Sequence, residues 1–402
     1  MQVAAEHVQK EVPDATKKDH IIFLSTVFCF WFSTYIYIPV FGLHLENIGF
    51  SYSFIGIILG SYGVTQILLR FPLGVISDHL IGLRKQLLIF GFFVALASSL
   101  LLLFSNTFFA IFTARLLAGV TAAMWVMATV LYSQYFHSDQ ASKAMSRIQF
   151  LTVFAQFSSM IISGYLVLYF GWSFPFWVAA VTSIIGIFLA FRIKEVSYPS
   201  RPSRKQEFHI LSHIKKTYRL KGLKTITFLS LSAHSILFIT IFGFSPMYAT
   251  HLSEATYAVT ILICAFFIPH ALASVWLMFY KVDLQKQKKV LLFCFCATSI
   301  FLFFIPLTNS LFTLCFIHAG IGLTLGIIFP LLLGMVIQVS ITDLKNSAMG
   351  FYQSFYAVGI LIGPLFAGEI AERAELIFVF YLCGFLSIIA TIVVLFMART
   401  KG

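Results

Sequence analysis

Twelve long apolar runs dominate this chain and leave it few ways to fold. They fall at about residues 20–42, 53–77, 86–105, 108–135, 143–169 and 173–192, then 225–249, 256–280, 289–307, 311–338, 346–370 and 375–397. A helix of about 20 apolar residues crosses the roughly 30 Å hydrocarbon core of a bilayer, and each run is near that length. Membrane β-strands would alternate apolar and polar residues with period two, and these runs do not. A soluble domain of this size needs charge at about a quarter of its positions. Here 10% of residues are charged and 59% hydrophobic, so part of the surface must face lipid. The expected fold is an all-α membrane protein with twelve transmembrane helices, numbered below as spans 1–12.

Basic residues set the expected orientation. Of 27 Lys and Arg, all but Arg115 and Arg373 lie in the terminal tails or near the 2–3, 4–5, 6–7, 8–9 and 10–11 connections. Basic connections stay cytoplasmic, which predicts both termini in the cytosol. The net charge of +12 then reflects this asymmetry, and no nucleic-acid partner is expected. Six cysteines all lie within apolar runs and form no CxxC or Cys/His ligand spacing, so neither a disulfide frame nor a metal site is supported. No phosphate-binding GxxxxGK[ST] occurs, nor any paired carboxylates or nucleophile–base set within a span. No catalytic residue, metal or cofactor is expected, and an enzyme or primary pump is disfavoured.

The longest polar segment, residues 193–224, divides the runs six and six. The predicted organisation is a cytoplasmic tail 1–19, a six-helix bundle 20–192, a basic linker 193–224, a second bundle 225–397 and a tail 398–402. Within the linker, Phe208, Ile210, Leu211, Ile214 and Tyr218 gather on one side of a helical wheel, with His209, Lys216 and Arg219 opposite. That pattern predicts a short helix on the inner membrane surface; a solvated linker is the alternative. The halves also repeat. Ala144, Met145, Gln149 and Gly164 recur as Ala348, Met349, Gln353 and Gly368 at one common offset, and "RKQLL" from Arg84 meets "KKVLL" from Lys288. Parallel repeats about an axis along the membrane normal place a transporter's substrate between the halves.

Between spans 2 and 3 stands "RFPLGVISDHLIGLRK", Arg70 to Lys85. Its "GVISDHLIGLRK" resembles the signature loop of the major facilitator superfamily: Gly, Asp, Gly, then a basic pair. "RLLAGVTAA", Arg115–Ala123, is similar to that family's helix-4 motif, and "GWSFPFW", Gly171–Trp177, to an element at its helix 5–6 turn. The resemblance covers essentially the whole chain. Two departures stand in the loop: His79 follows Asp78 where the family has a basic residue, and one residue is inserted before Gly82.

The residue types suggest what the hairpin does. Gly74 lets span 2 approach a neighbour closely. Asp78 can face the positive N-terminus of a helix, and the resemblance makes span 11 of the other half that partner. With Gly82, Arg84 and Lys85 the hairpin would latch the halves together when the protein opens outward. Alternatively, Arg70, Arg84 and Lys85 only set topology.

The resemblance implies that spans 1, 2, 4, 5, 7, 8, 10 and 11 line a central cavity. On span 5, Gln149, Thr152, Gln156, Ser159 and Ser163 form one polar stripe that lipid would not tolerate. The mate on span 11 carries Gln353 and Tyr356. Intramembrane Arg115 reads as functional; outward snorkelling is the alternative. His234, His270 and His318 lie within spans 7, 8 and 10, and each could be a packing residue. Tyr35 and Gln66 complete the candidate substrate or coupling residues. None of the 15 acidic residues lies mid-membrane. Proton coupling would therefore need a histidine, a rim carboxylate such as Glu46 or Glu369, or the substrate's own titration.

The expectation is a monomeric secondary transporter in the plasma membrane of a prokaryote, in contact with lipid. It would move a small organic solute by alternating access, coupled to protons and in the export direction. Uptake of an organic anion, sugar or other polar nutrient is the alternative.

Overall fold

The structure is a computed structural model, and it describes residues 15–76, 81–136, 141–196, 210–253, 257–279, 282, 284–340 and 344–397. Twelve helices are long and apolar enough to cross a membrane: Lys17–Asn47, Tyr52–Ile76, Arg84–Phe104, Phe108–Ser133, Arg147–Phe170, Phe174–Phe191, Leu223–Leu252, Ala258–Leu277, Lys286–Leu307, Leu311–Val339, Ser347–Arg373 and Phe378–Phe396. These are spans 1–12. Aromatic side chains stand out on the periphery, with Phe312 and Phe396 82% and 84% exposed, as a surface meeting hydrocarbon requires.

Span 1 is longer than its apolar run. Thr16 and Asp19 form a capping box that starts the helix before the apolar residues begin. The span is then interrupted, running as Lys17–Tyr35 and Ile38–Asn47. Pro39 explains the break, because it has no N–H to give the Tyr35 carbonyl. Span 7 is interrupted at the matching depth by a π-helical segment, Thr240–Phe244, just before Pro246. Sequence reading gave both as unbroken helices.

Each half holds itself together with the same devices. Lys85 Nζ at the start of span 3 donates to the Ile193 carbonyl beyond span 6, at 2.8 Å. Lys288 Nζ at the start of span 9 donates to Leu395 and Met397 at the end of span 12, both at 2.8 Å. Gly119 sets span 4 against the Tyr62 carbonyl of span 2, and Gly322 sets span 10 against the Phe266 carbonyl of span 8. A methyl group at either glycine would collide with backbone.

The halves meet along spans 2 and 11, which run together from end to end. A Cβ on Gly56 would lie 2.9 Å from the Gly368 Cα, one on Gly63 2.7 Å from the Ala357 carbonyl, and one on Gly350 3.2 Å from the Gly74 Cα. At these glycines only bare backbone fits the seam. The glycines of span 11 thus serve close packing, and Gly359 and Gly363 do the same on its other side, against Leu231 and Ser235 of span 7.

A linker helix does form, at Ile210–Tyr218. It lies against spans 2 and 11 rather than apart from the bundles. Thr217 is buried, while Lys215, Lys216 and Arg219 are exposed. Tyr218, expected on the apolar side, is exposed and carries the Lys224 ammonium 3.6 Å over its ring. Phe208 and His209 lie outside the described residues.

Candidate functional site

Six residues before the end of span 2, where the seam also passes span 4, three spans converge on Arg70. Its guanidinium is 3% exposed. Nη1 donates to the Tyr356 hydroxyl of span 11, and Nη2 to the Ala122 carbonyl of span 4 at 3.3 Å. The guanidinium carbon stands 5.2 Å from the Tyr356 ring centre. That ring lies flat against the His234 imidazole of span 7, with centres 3.9 Å apart and planes 2° from parallel. His234 Nδ1 is 2.8 Å from the Ser230 carbonyl; a carbonyl only accepts, so Nδ1 carries the proton. Ser230 in turn donates to the Tyr352 hydroxyl at 2.8 Å. Gln353 sits one turn before Tyr356, and its buried Oε1 has no partner.

Arg70 is a correction to the sequence reading, which counted it with the basic residues at the 2–3 connection. It is followed by six apolar residues of the same helix, and that depth was the available signal. Tyr62, Gln66 and Arg70 follow one another at intervals of one helical turn. Gln66 is buried, its Nε2 donating to the Tyr62 carbonyl at 2.9 Å.

On span 4, against the earlier part of span 2, Arg115 is 1% exposed and does not snorkel. Its guanidinium carbon lies 4.7 Å from the Tyr62 ring centre and 5.4 Å from that of Phe41. Nη1 reaches the Tyr37 hydroxyl at the break of span 1, at 3.4 Å. The broken helix thereby becomes part of the site. Nε of Arg70 and Nε of Arg115 are both buried without a partner. Among the described residues neither arginine has a carboxylate within ion-pair distance; the pairs present are His251–Glu46 and Arg373–Glu369.

The other candidates separate by environment. Tyr35 is buried beside Trp31 and Phe242. His318 is fully buried with both nitrogens engaged, Nδ1 to the Leu314 carbonyl at 2.9 Å and Nε2 to the Ser245 hydroxyl at 2.8 Å. This is a packing histidine in the described geometry. His270 stacks on Phe266, and its Nδ1 has no partner. On span 5, Thr152, Ser159 and Ser163 are buried, Gln156 is half-buried and Gln149 is exposed. Of the hairpin, Asp78 lies outside the described residues, Gly82 is exposed in a single 3-10 turn, and Arg84 is buried. Gly74 packs on span 11, whereas the partner of Lys85 lies in its own bundle.

The rim away from the chain ends is closed. Tyr52 and Ser53, at the N-terminus of span 2, are capped by the other half: the Tyr52 N–H donates to Glu372 and the Ser53 hydroxyl to Glu369, both at 2.8 Å. Glu46 accepts from the Tyr52 hydroxyl at 2.8 Å. Spans 1 and 7 meet there, a Cβ on Gly42 lying 3.2 Å from Met247 Sδ. Spans 5 and 8 meet through Phe157 and Phe267. Toward the chain ends, by contrast, Gln149 is exposed, and His234, Gln353 and Tyr356 are half-buried.

Comparison with known proteins adds the family. The Major Facilitator Superfamily profile matches residues 23–278 and 246–402. The inner membrane transport protein YajR of Escherichia coli K12 is 26% identical over 356 residues, 86% of this chain and 76% of that one. The proton-coupled antiporter flippase LtaA of Staphylococcus aureus is 24% identical over 301 residues, 72% of each. An uncharacterized transporter of Buchnera aphidicola is 30% identical over 195 residues, 48% of this chain and 46% of that one. The nucleoside transporter NupG superposes with a TM-score of 0.74 over 96% of this chain and 100% of its own, at 14% identity. Twelve spans in a known transporter fold, joined to a family match along nearly the whole sequence, lead to one conclusion: the chain belongs to the Major Facilitator Superfamily of membrane transporters.

Proposed function

We propose that this protein is a secondary active transporter that exports a small organic solute across the plasma membrane by alternating access, coupled to protons. One observation carries the reading. A polar cluster built from both halves lies within the spans, the far rim is sealed by Glu369 and Glu372, and His234, Gln353 and Tyr356 in the cluster stay half-buried. This is the arrangement of a carrier caught open to one side. The charge asymmetry of the connections supports a cytosolic open side. To open outward, the caps on Tyr52 and Ser53 must break, and the Asp78 hairpin then closes the inner rim against span 11. YajR and LtaA, named as inner-membrane and proton-coupled proteins, support the membrane and the coupling.

The proton has few places to reside. Among the described residues no carboxylate lies mid-span, so the proton would travel on His234 or His270, on the rim carboxylates, or on the solute itself. Purified protein in proteoliposomes with an imposed pH gradient tests the reading, using a panel of organic anions, sugars and lipophilic drugs. Export coupled to protons predicts solute movement against the proton flow. Movement with the flow would assign symport instead, and no movement of any compound would remove the transport reading.

A further inference from the structure

We infer that Arg70 is the anion-binding centre of the substrate site, so that the transported solute is an organic anion carrying a carboxylate, phosphate or sulfate group and a hydrogen-bond donor. This deepens the transport reading and rests on it. The argument begins with cost. A guanidinium held away from water without a counter-charge is strongly unfavourable, and structural arginines in such places are paired. Arg70 is 3% exposed, yet its partners are a phenol and a backbone carbonyl, both neutral. Its Nε, a charge-bearing donor, is unpartnered.

Among the described residues no carboxylate is placed to help. The described ones, Asp19, Glu46, Glu195, Glu369, Glu372 and Glu375, sit at the ends of spans or in connections, and the remaining acidic residues fall in tails and connections of the sequence. The missing negative charge must come from outside the chain. A planar carboxylate, or the tetrahedral oxygens of phosphate or sulfate, suits the Arg fork. The location fits a carried ligand, since Arg70 joins spans 2, 4 and 11 where the halves meet. Its partner Tyr356 is half-buried and backed by the His234 ring. The second requirement comes from Gln353. Its Oε1 is a buried acceptor with nothing to accept, one turn along the helix from Tyr356, and a hydroxyl or amide N–H on the solute would satisfy it.

The test is thermal unfolding of the purified full-length protein in detergent. The probes are lactate, 4-hydroxybenzoate, glucose 6-phosphate and phenyl sulfate, each beside its uncharged analogue: lactamide, 4-hydroxybenzamide, glucose and phenol. At least one anion should raise the melting temperature saturably, and its neutral analogue should not. Arg70→Gln should weaken that anion at least tenfold, and without ligand it should melt no lower than the wild type, because it relieves a buried charge. Arg70→Lys should keep part of the anion preference. Tyr356→Phe, which leaves the charge in place, should weaken the anion only a few-fold and keep its preference over the neutral analogue.

The assignment is overturned if no anion stabilises the wild type, or if neutral analogues stabilise wild type and Arg70→Gln alike. It is also overturned if Arg70→Gln melts well below the wild type while Tyr356→Phe does not affect anion binding, since the arginine is then a structural tie. The two readings fail separately. An anion that binds through Arg70 but never crosses proteoliposomes removes transport, whereas a neutral solute carried equally by wild type and Arg70→Gln removes the anion site.

Discussion

The two halves of the molecule put different chemistry at matching positions. Arg115 in span 4 and His318 in span 10 each stand four residues before a glycine that seats the helix on its neighbour, Gly119 and Gly322. Each reaches the irregular point of a long span, Arg115 to Tyr37 in span 1 and His318 to Ser245 in span 7. There the likeness ends. His318 has used both nitrogens, so its site is complete. Arg115 lies between two aromatic faces and leaves Nε without a partner. The difference teaches that an intramembrane polar residue is not functional by location alone. What distinguishes it is an unmet demand for a partner.

The strongest way to break this comparison is at the shared scaffold. Gly119→Leu and Gly322→Leu should each cost at least about 3 kcal/mol, because backbone on the neighbouring helix cannot yield as a side chain can. Both should reduce the yield of monodisperse protein in size-exclusion chromatography. If only one does, the halves are not built alike. Next comes the contrast itself. Arg115→Gln should slow transport in proteoliposomes by about tenfold or more, equivalent to about 1.4 kcal/mol, without lowering the melting temperature. His318→Gln should do the reverse: about 1–2 kcal/mol of stability is lost with its hydrogen bonds, and transport is retained. Equal transport defects would sink the distinction between a complete and an incomplete site.

A subtler test compares the two rims. Glu369→Gln with Glu372→Gln weakens charge-assisted caps on span 2, and about 1 kcal/mol changes a two-state population about fivefold. The shift should be outward, read as faster labelling of a cysteine placed at Leu59 in a background lacking the six native cysteines. Asp78→Asn should shift the same label the other way. The smallest effects belong to the matched ties. Lys85→Met and Lys288→Met each remove a cation from a helix C-terminus, worth about 0.3–1 kcal/mol, and should lower the melting temperature alike while transport continues.

Several of these residues were legible in the sequence. Arg115 announced itself by a charge deep in an apolar run, and the span 5 stripe by polar residues every turn. Gln353 came from the repeat. Arg70 was overlooked because it belongs to a cluster of basic residues near a connection, and linear distance to Asp78 and Arg84 disguised its depth. Tyr62 could not be singled out among 16 tyrosines, since its role depends on an arginine from another helix. The closing carboxylates were visible as Glu46 and Glu369 near helix ends, but that Glu369 and Glu372 cap span 2 across the seam could not be read from either segment.

The sequence by itself determined the solvent and the scaffold: twelve spans and the family they belong to. Hydropathy and motifs are properties of residues along one line, so no folding is needed to see them. Only the tertiary structure decided which polar side chains complete their hydrogen bonds and which are left wanting a ligand. That question turns on atoms delivered by distant helices, as Tyr356 and Ala122 are to Arg70, and satisfaction of a buried charge is a sum over neighbours in space.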